Sequence, residues 1–189
     1  MCLFNLTRVT EFTQAIISGY IKNGDLAIDA TMGNGNDTLF LSKMVGVEGR
    51  VVSFDIQQEA LERTRILLQN NNIERAVTLV HDSHEHIDKY VCEKIACVMF
   101  NLGYLPGSNH SLTTMGRSTI TALEKCLKLL KTNGIITLAI YWGHAEGVEE
   151  KASILEYANK LEPTKYHVMK MEYINQQNNP PFIVAIVKK

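Results

Sequence analysis

The stretch Ala27-Ile28-Asp29-Ala30-Thr31-Met32-Gly33-Asn34-Gly35-Asn36-Asp37-Thr38 passes from an apolar run through two glycines into a helical pattern. Glycine at 33 and 35 permits backbone angles closed to other residues and lets a ligand come close to the main chain. Asp55 follows about twenty residues on, at the tip of the next apolar run, where a carboxylate accepts both hydroxyls of a ribose. Turn and acid together point to a ligand that carries a nucleoside. The bland alternative is a tight turn in which Asp37 or Thr38 merely opens a helix.

Charge narrows the ligand. A dinucleotide fingerprint places its third glycine where this chain has Thr38, and Asp37 at the helix start would repel a pyrophosphate. S-adenosylmethionine has no phosphate and carries a sulfonium and an ammonium, so acids and amides suit it. The expected cofactor contacts are Asp29, Gly33, Asn34, Gly35, Asn36, Asp37, Thr38 and Asp55. Further on, Asp82 in His81-Asp82-Ser83-His84 offers its side chain and nearby backbone to an adenine edge. His81, His84 and His86 lack cysteine or carboxylate partners at a recognised ligand spacing; they read as surface or supporting histidines, and no metal is expected.

Asn101-Leu102-Gly103-Tyr104-Leu105-Pro106 ends an apolar run and points at the same crevice. Methylating an amine needs a neutral nitrogen lone pair in line with the methyl and sulfur, whereas a free alkyl ammonium, with a pKa of about 10.4, holds its proton at neutral pH. The Asn101 amide oxygen or the Leu102 carbonyl would accept the nitrogen's hydrogen, and Tyr104 would stack on a base, unless it is only a core aromatic above a turn. Asn101 also borders the cofactor. No cysteine follows this run, which disfavours covalent attack on a pyrimidine ring carbon. Tyr141-Trp142-Gly143-His144 adds aromatics and a titratable imidazole on the rim, with His144 as proton acceptor or substrate contact. Trp142 serves equally well as ordinary packing, and Glu146 as a helix-start acid.

The elements that must position these residues alternate in type along the chain. Val9, Phe12, Ile16 and Tyr20 recur at helical spacing, and Asn23-Gly24-Asp25 stops that helix before a strand over Leu26 to Ala30. A helix over Asp37 to Met44 precedes a strand from Arg50 to Phe54 that ends at Asp55. Ala60, Leu61, Thr64, Leu67 and Leu68 make another stripe, followed by a strand over Ala76 to Val80. Ile95 to Phe100 is apolar on both faces, as in a central parallel strand. Ile120, Leu123, Leu127 and Leu130 mark a helix started by Thr113 or Thr114, and Asn133-Gly134 ends it before a strand over Ile135 to Ile140. A helix over Val148 to Leu161 leads to two closing strands, Tyr166 to Tyr173 and Phe182 to Val187, antiparallel neighbours across a polar, proline-rich loop. This is an α/β chain with a mostly parallel seven-stranded sheet and helices on both faces.

The 189 residues suit a single domain over 1–189, and 46% apolar with 21% charged residues is a folded composition. A net charge of −1 means that any nucleic acid must be held by a local basic face, for which Arg117, Lys125, Lys128 and Lys165 are candidates. Cys2, Cys92, Cys97 and Cys126 have no metal or disulfide spacing. No leader or membrane span is read, and a cytoplasmic location is expected.

The glycine turn, Asn101 to Gly107, Tyr141-Trp142-Gly143-His144 and the Asn175-Gln176 to Pro180-Pro181 loop together resemble the MnmM (YtqB-like) family over nearly the whole chain. The resemblance implies a Rossmann-like class I S-adenosylmethionine-dependent methyltransferase. It would act on the aminomethyl group of 5-aminomethyl-2-thiouridine at the tRNA wobble position, giving 5-methylaminomethyl-2-thiouridine. It adds Gln57, Ser83 and His84 to the cofactor contacts and suggests a homodimer, for which Phe12, Tyr20 and the closing strands could supply a face. On this tRNA reading Tyr104, Tyr141, Trp142 and His144 form the base pocket, Arg117 is a substrate contact through phosphate, and the tRNA anticodon loop is the partner. Two departures stand out: Asn36 where many relatives carry histidine, and Asn101 to Tyr104 only loosely matching the Asn/Asp-Pro-Pro-Tyr of other amine methyltransferases. Rival readings are an rRNA or small-molecule amine methyltransferase, an NAD-binding oxidoreductase and a non-catalytic RNA-binding module.

Overall fold

The computed structural model describes residues 8–73, 76–103, 116–143 and 145–189, without the side chains at 145 and 146. In chain order the elements are α1 (Val9–Ile17), β1 (Leu26–Asp29), α2 (Asn36–Val45), β2 (Arg50–Asp55), α3 (Gln58–Asn70), β3 (Val77–His81), a short 3-10 turn (His84–Lys89) and β4 (Ile95–Leu102). Then follow α4 (Gly116–Leu129), β5 (Leu130–Ile140), α5 (Ala145–Asn159), β6 (Tyr166–Met171) and β7 (Phe182–Lys188).

Strand alternation explains how the sheet is covered. Ala27, Val51, Cys97, Met99 and Ile135 pack on one face with Ile17 and Ile21 from the first helical segment and Leu41 and Val45 of α2. Their neighbours Ile28, Val52, Val98, Phe100 and Ile136 pack on the other with Ile87, Leu123, Leu127 and Ile154. Successive side chains of a strand point to opposite faces, so strands buried on both sides must be apolar throughout, as β4 is from Ile95 to Phe100.

The strand order is β3-β2-β1-β4-β5-β7-β6. β1 to β5 are mutually parallel, and β7 runs antiparallel to both β5 and β6. The chain winds outward from β1 to β3 and then returns to β4 on β1's other side. The loops after β1 and β4 therefore part and leave a crevice above their carboxyl ends, the place where open α/β sheets take ligands. The expected α/β class, the seven strands and the antiparallel closing pair all stand.

Some boundaries differ. β5 begins at Leu130, which pairs with Ile95, and the register shifts before Cys97 meets Ile135. Asn133-Gly134 therefore sits within the strand, Asn133 at φ 60°, and does not stop a helix. An irregularity inside a strand and a helix stop use the same residues, because both need positive φ. The 3-10 turn was not expected. The start of α4, assigned to Thr113 or Thr114, lies outside the described residues. Phe12 and Tyr20 are half-buried against the chain's own core. Among the described residues, no helix is long and apolar enough to cross a membrane.

Candidate active site

Beneath the glycine turn lies a buried polar knot. The Thr38 hydroxyl donates to Asp29 Oδ2 at 2.6 Å and shares a 3.0 Å hydrogen bond with Ser53 Oγ, while Asp29 Oδ1 accepts Thr31 N–H at 3.2 Å. Asp29 and Thr38 have no exposed surface, so they brace the turn from below and do not line the crevice as direct cofactor contacts. Asp55, at the tip of β2, accepts Gly33 N–H and Gln57 N–H, each at 2.9 Å, one on each oxygen. The carboxylate is thus pinned to the turn. Gly33 takes φ 52° and Gly35 φ 79°. A Cβ on Gly35 would stand 2.6 Å from Thr64 Oγ1, so this glycine is required for α2 to approach α3. Asn34 Oδ1 accepts from Arg63 Nη1 at 2.9 Å.

Asn101, near the end of β4, is held at two points, and Gln14 braces the second. Its N–H donates to Thr31 Oγ1 at 2.7 Å, its Nδ2 donates to Asp37 Oδ2 at 2.6 Å, and Gln14 Nε2 on α1 donates to Asp37 Oδ1, also at 2.6 Å. Asn101 Oδ1 is buried and has no hydrogen-bond partner among the described residues. The Leu102 carbonyl accepts Tyr141 N–H at 3.0 Å. Of the two acceptors expected for a substrate amine, the Leu102 carbonyl is thus committed to the backbone and the asparagine oxygen is the orphan. A buried acceptor left without a donor costs free energy, about 1–3 kcal/mol, that a ligand N–H would recover.

Three carboxylates gather here. Burial, reinforced by the charge of Asp37, pushes the Asp29 pKa up to about 7. Burial also raises Asp37, against the opposing hydrogen bonds from Gln14 and Asn101, and it raises Asp55. Three acids that burial pushes toward neutrality make a site that gains by receiving a cation.

Beyond β3, Asp82 accepts Ser83 N–H at 2.7 Å and the Tyr90 hydroxyl at 2.9 Å, and it pairs with His86 Nδ1 at 2.8 Å. These bonds, His86 foremost, hold its pKa at about 2 and leave little of the carboxylate free for an adenine. His84 is not a surface group: it is buried, and its Nδ1 lies 3.1 Å from the Ala30 carbonyl. That contact needs the proton on Nδ1, so Nε2 is an acceptor; it is buried without a partner among the described residues, and burial lowers the ring's pKa and favours the neutral form. Ser83 Oγ accepts Glu85 N–H at 3.3 Å. Ile56, next to Asp55, is 52% exposed and offers an apolar face beside the ribose acid. It was missed in the sequence, although a large apolar residue directly after a strand-end acid was the available signal.

The rim differs from expectation. Tyr141 is partly exposed. Trp142 donates Nε1–H to the Pro180 carbonyl at 3.0 Å, and Lys151 Nζ sits 3.0 Å from its ring centroid. One face of this ring is therefore covered by a cation from α5. Arg117 is exposed in the first turn of α4. Lys125 is committed to the Glu85 carbonyl and Asp88. Lys128 lies beside Lys94, which precedes β4, and Lys165 pairs with Glu162 where β6 starts, so both stand at the opposite edge of the sheet from the crevice. Tyr104 and His144 lie outside the described residues.

A family model described as "Putative rRNA methylase" matches residues 51–187. This chain belongs to that family. It is 35% identical over 191 residues to an Arabidopsis thaliana protein named "tRNA (mnm(5)s(2)U34)-methyltransferase, chloroplastic", covering 96% of this chain and 70% of that one. It is 43% identical to a Clostridium thermocellum structure described as a "putative rRNA-methylase", with a TM-score of 0.96 over 98% of this chain and all of that one. A Streptococcus mutans "putative methyltransferase", solved in complex with SAH, is 39% identical with a TM-score of 0.90, again over 98% and 100%. The class I methyltransferase fold and the methylase family thus rest on whole-chain likeness, and the oxidoreductase alternative falls.

Proposed function

We propose that this chain is an S-adenosylmethionine-dependent tRNA methyltransferase that methylates the aminomethyl nitrogen of 5-aminomethyl-2-thiouridine at the wobble position. The carrying observation is the orphaned Asn101 Oδ1: a buried, oriented acceptor at the crevice, free for the hydrogen of an amine. The cofactor fits the residues present. The acids Asp37 and Asp55 and the unpartnered His84 Nε2 suit a ligand that combines positive charge with a nucleoside, and Ile56 offers the base an apolar face. When bound, S-adenosylmethionine supplies an electrophilic methyl on a positively charged sulfur.

The chain's own part is to orient the nitrogen and keep its lone pair free. Asn101 Oδ1 accepts one N–H, which directs the lone pair elsewhere, and its partial negative charge follows the charge that grows on nitrogen. Among the described cysteines none is a placed nucleophile for ring-carbon methylation: Cys97 and Cys126 are buried, which pushes both thiols far above their ordinary pKa, Cys126 to about 12, and the exposed Cys92 precedes β4, at the opposite end of that strand from the crevice. The tRNA substrate is supported by the plant relative, whose name specifies tRNA.

The family's description favours a second reading, methylation of rRNA on the same fold. Labelled methyl transfer decides. Incorporation into tRNA that bears the aminomethyl group, and none into tRNA lacking it or into ribosomal subunits, is expected. Equal labelling of rRNA, or of tRNA without the amine, overturns the proposal.

A further inference from the structure

We propose that Gln14, on α1 and outside every motif of the crevice, is a positioning residue for the methyl acceptor: through Asp37 it fixes which end of the Asn101 amide faces the reacting amine. This rests on the reading of Asn101 as the amine's acceptor.

The two ends of a primary amide have nearly the same shape, so hydrogen bonding alone decides how it points. An ionised carboxylate only accepts. Asp37 offers Oδ1 to Gln14 Nε2 and Oδ2 to Asn101 Nδ2, both at 2.6 Å, and while it is ionised the Asn101 nitrogen must face it. The amide oxygen is then turned away from Asp37, and that is the atom left buried without a partner. A protonated Asp37 would be a donor as well. The amide could then reverse, accept from the carboxylic acid and present its NH₂ to the substrate, where two donors would meet and the amine would lose its acceptor.

Gln14 guards against this reversal. Around Asp37, Asn101 arrives from β4, Asp29 from β1 and Tyr141 from the end of β5, while Asp55 acts one step away on Asp29. The acids and the burial favour the neutral carboxyl; Gln14 and Asn101 favour the charged one. With Gln14 donating to one oxygen and Asn101 to the other, neither oxygen of Asp37 has an acceptor for a proton, so the two amides together hold the ionised form and loss of Gln14 leaves Asn101 as its one amide donor among the described residues. Fold anchoring does not require it, since Ile17 and Ile21 already tie this segment to the sheet.

The test compares Gln14→Met, which keeps length without a donor, with Gln14→Glu and Asp37→Asn. Single-turnover methyl transfer to aminomethyl-bearing tRNA is followed from pH 6 to pH 9, with cofactor affinity from calorimetry and thermal unfolding measured alongside. The amine's own titration shapes every profile, so the variant-to-wild-type rate ratio isolates Asp37. Losing a hydrogen bond to the charged form raises the Asp37 pKa further. Gln14→Met is therefore expected to be slowest relative to wild type at the acid end of the range and to approach wild type toward pH 9, with KM for tRNA within about twofold. Gln14→Glu should displace the limb further, and Asp37→Asn should be slow at every pH with no limb of its own.

A variant-to-wild-type ratio that stays constant across pH, whether near unity or uniformly low, overturns the proposal. If Gln14→Met fails to fold, Gln14→Glu carries the same comparison. Failure of the underlying reading looks different: the wild-type enzyme then transfers no methyl to that tRNA at any pH.

Discussion

Asn101 and Asp37 stand 64 positions apart in the chain and share a 2.6 Å hydrogen bond that joins the end of β4 to the first turn of α2. One element carries the proposed acceptor for the substrate amine, the other opens the helix beside the crevice. Their pairing spans the two sides of the topological switch point, so on the proposed function one bond would couple the geometry of the amine to the electrostatics of the cradle.

Replacing Asn101 tests the first half of that coupling. Asn101→Ala removes the acceptor and leaves Asp37 with one donor fewer, and the rate of methyl transfer to tRNA should fall about a hundredfold. Asn101→Asp should be at least as slow, because two carboxylates would then face each other and one must bind a proton. Cofactor affinity should change far less than rate for Asn101→Ala. A rate within threefold of wild type would remove Asn101 from the chemistry.

The acids carry a pH signature. A cationic ligand favours ionised carboxylates, so S-adenosylmethionine should displace protons from groups whose pKa burial has raised, Asp29 at about 7 and Asp37 and Asp55 above their ordinary range. Affinity should therefore rise between pH 5 and pH 8. Calorimetry in two buffers of different ionisation enthalpy should report net proton release. SAH, which lacks the sulfonium charge, should show a weaker dependence; identical profiles for the two would refute the electrostatic account.

Stability should move the other way. The folded Asp29 holds its proton up to about pH 7, whereas an unfolded one loses it near 3.8. Between these values the folded state binds more protons, so stability falls as pH rises through that window and the loss is complete above it. Asp29→Asn keeps an acceptor for Thr31 N–H and cannot ionise. Its melting temperature should exceed that of wild type at pH 8 by a few degrees and match it near pH 4. A variant less stable at both pH values would show that the bond to Thr38 outweighs the buried charge.

The sequence was informative where one local pattern has one physical meaning. The unbroken apolar run of β4 could only be a strand covered on both faces, and Asp55 after a second such run had to lie at a carboxyl edge. It was less informative where one pattern serves two ends. Gly35 looks like a ligand glycine, yet the neighbour that requires it is Thr64, 29 residues on in α3. Asn133-Gly134 reads as a helix stop and lies inside β5. Gln14 gave no signal at all, because its proposed role rests on a contact 23 positions away that only the packing of α1 creates. The lysines failed for a related reason: composition marks charge, but the strand directions decide which edge of the sheet it reaches.

Lys151 is the cation that composition did not single out, and it can be followed through Trp142, the chain's single tryptophan. Its ammonium lies over that ring, and burial together with the nearby charge of Lys170 lowers its pKa. A cation over an indole is worth about 0.5–1 kcal/mol at an exposed site, little enough for a phosphate or a stacking base to displace it. Binding of an anticodon stem-loop should therefore change Trp142 emission in wild type, while Lys151→Ala should begin from an altered emission and respond less. If Lys151 also meets the RNA backbone, the slope of log affinity against log salt should fall by about 0.7–0.9 in the variant. Emission that is unmoved by RNA, in a protein that still methylates it, would assign the lysine and the tryptophan to packing between α5 and the sheet.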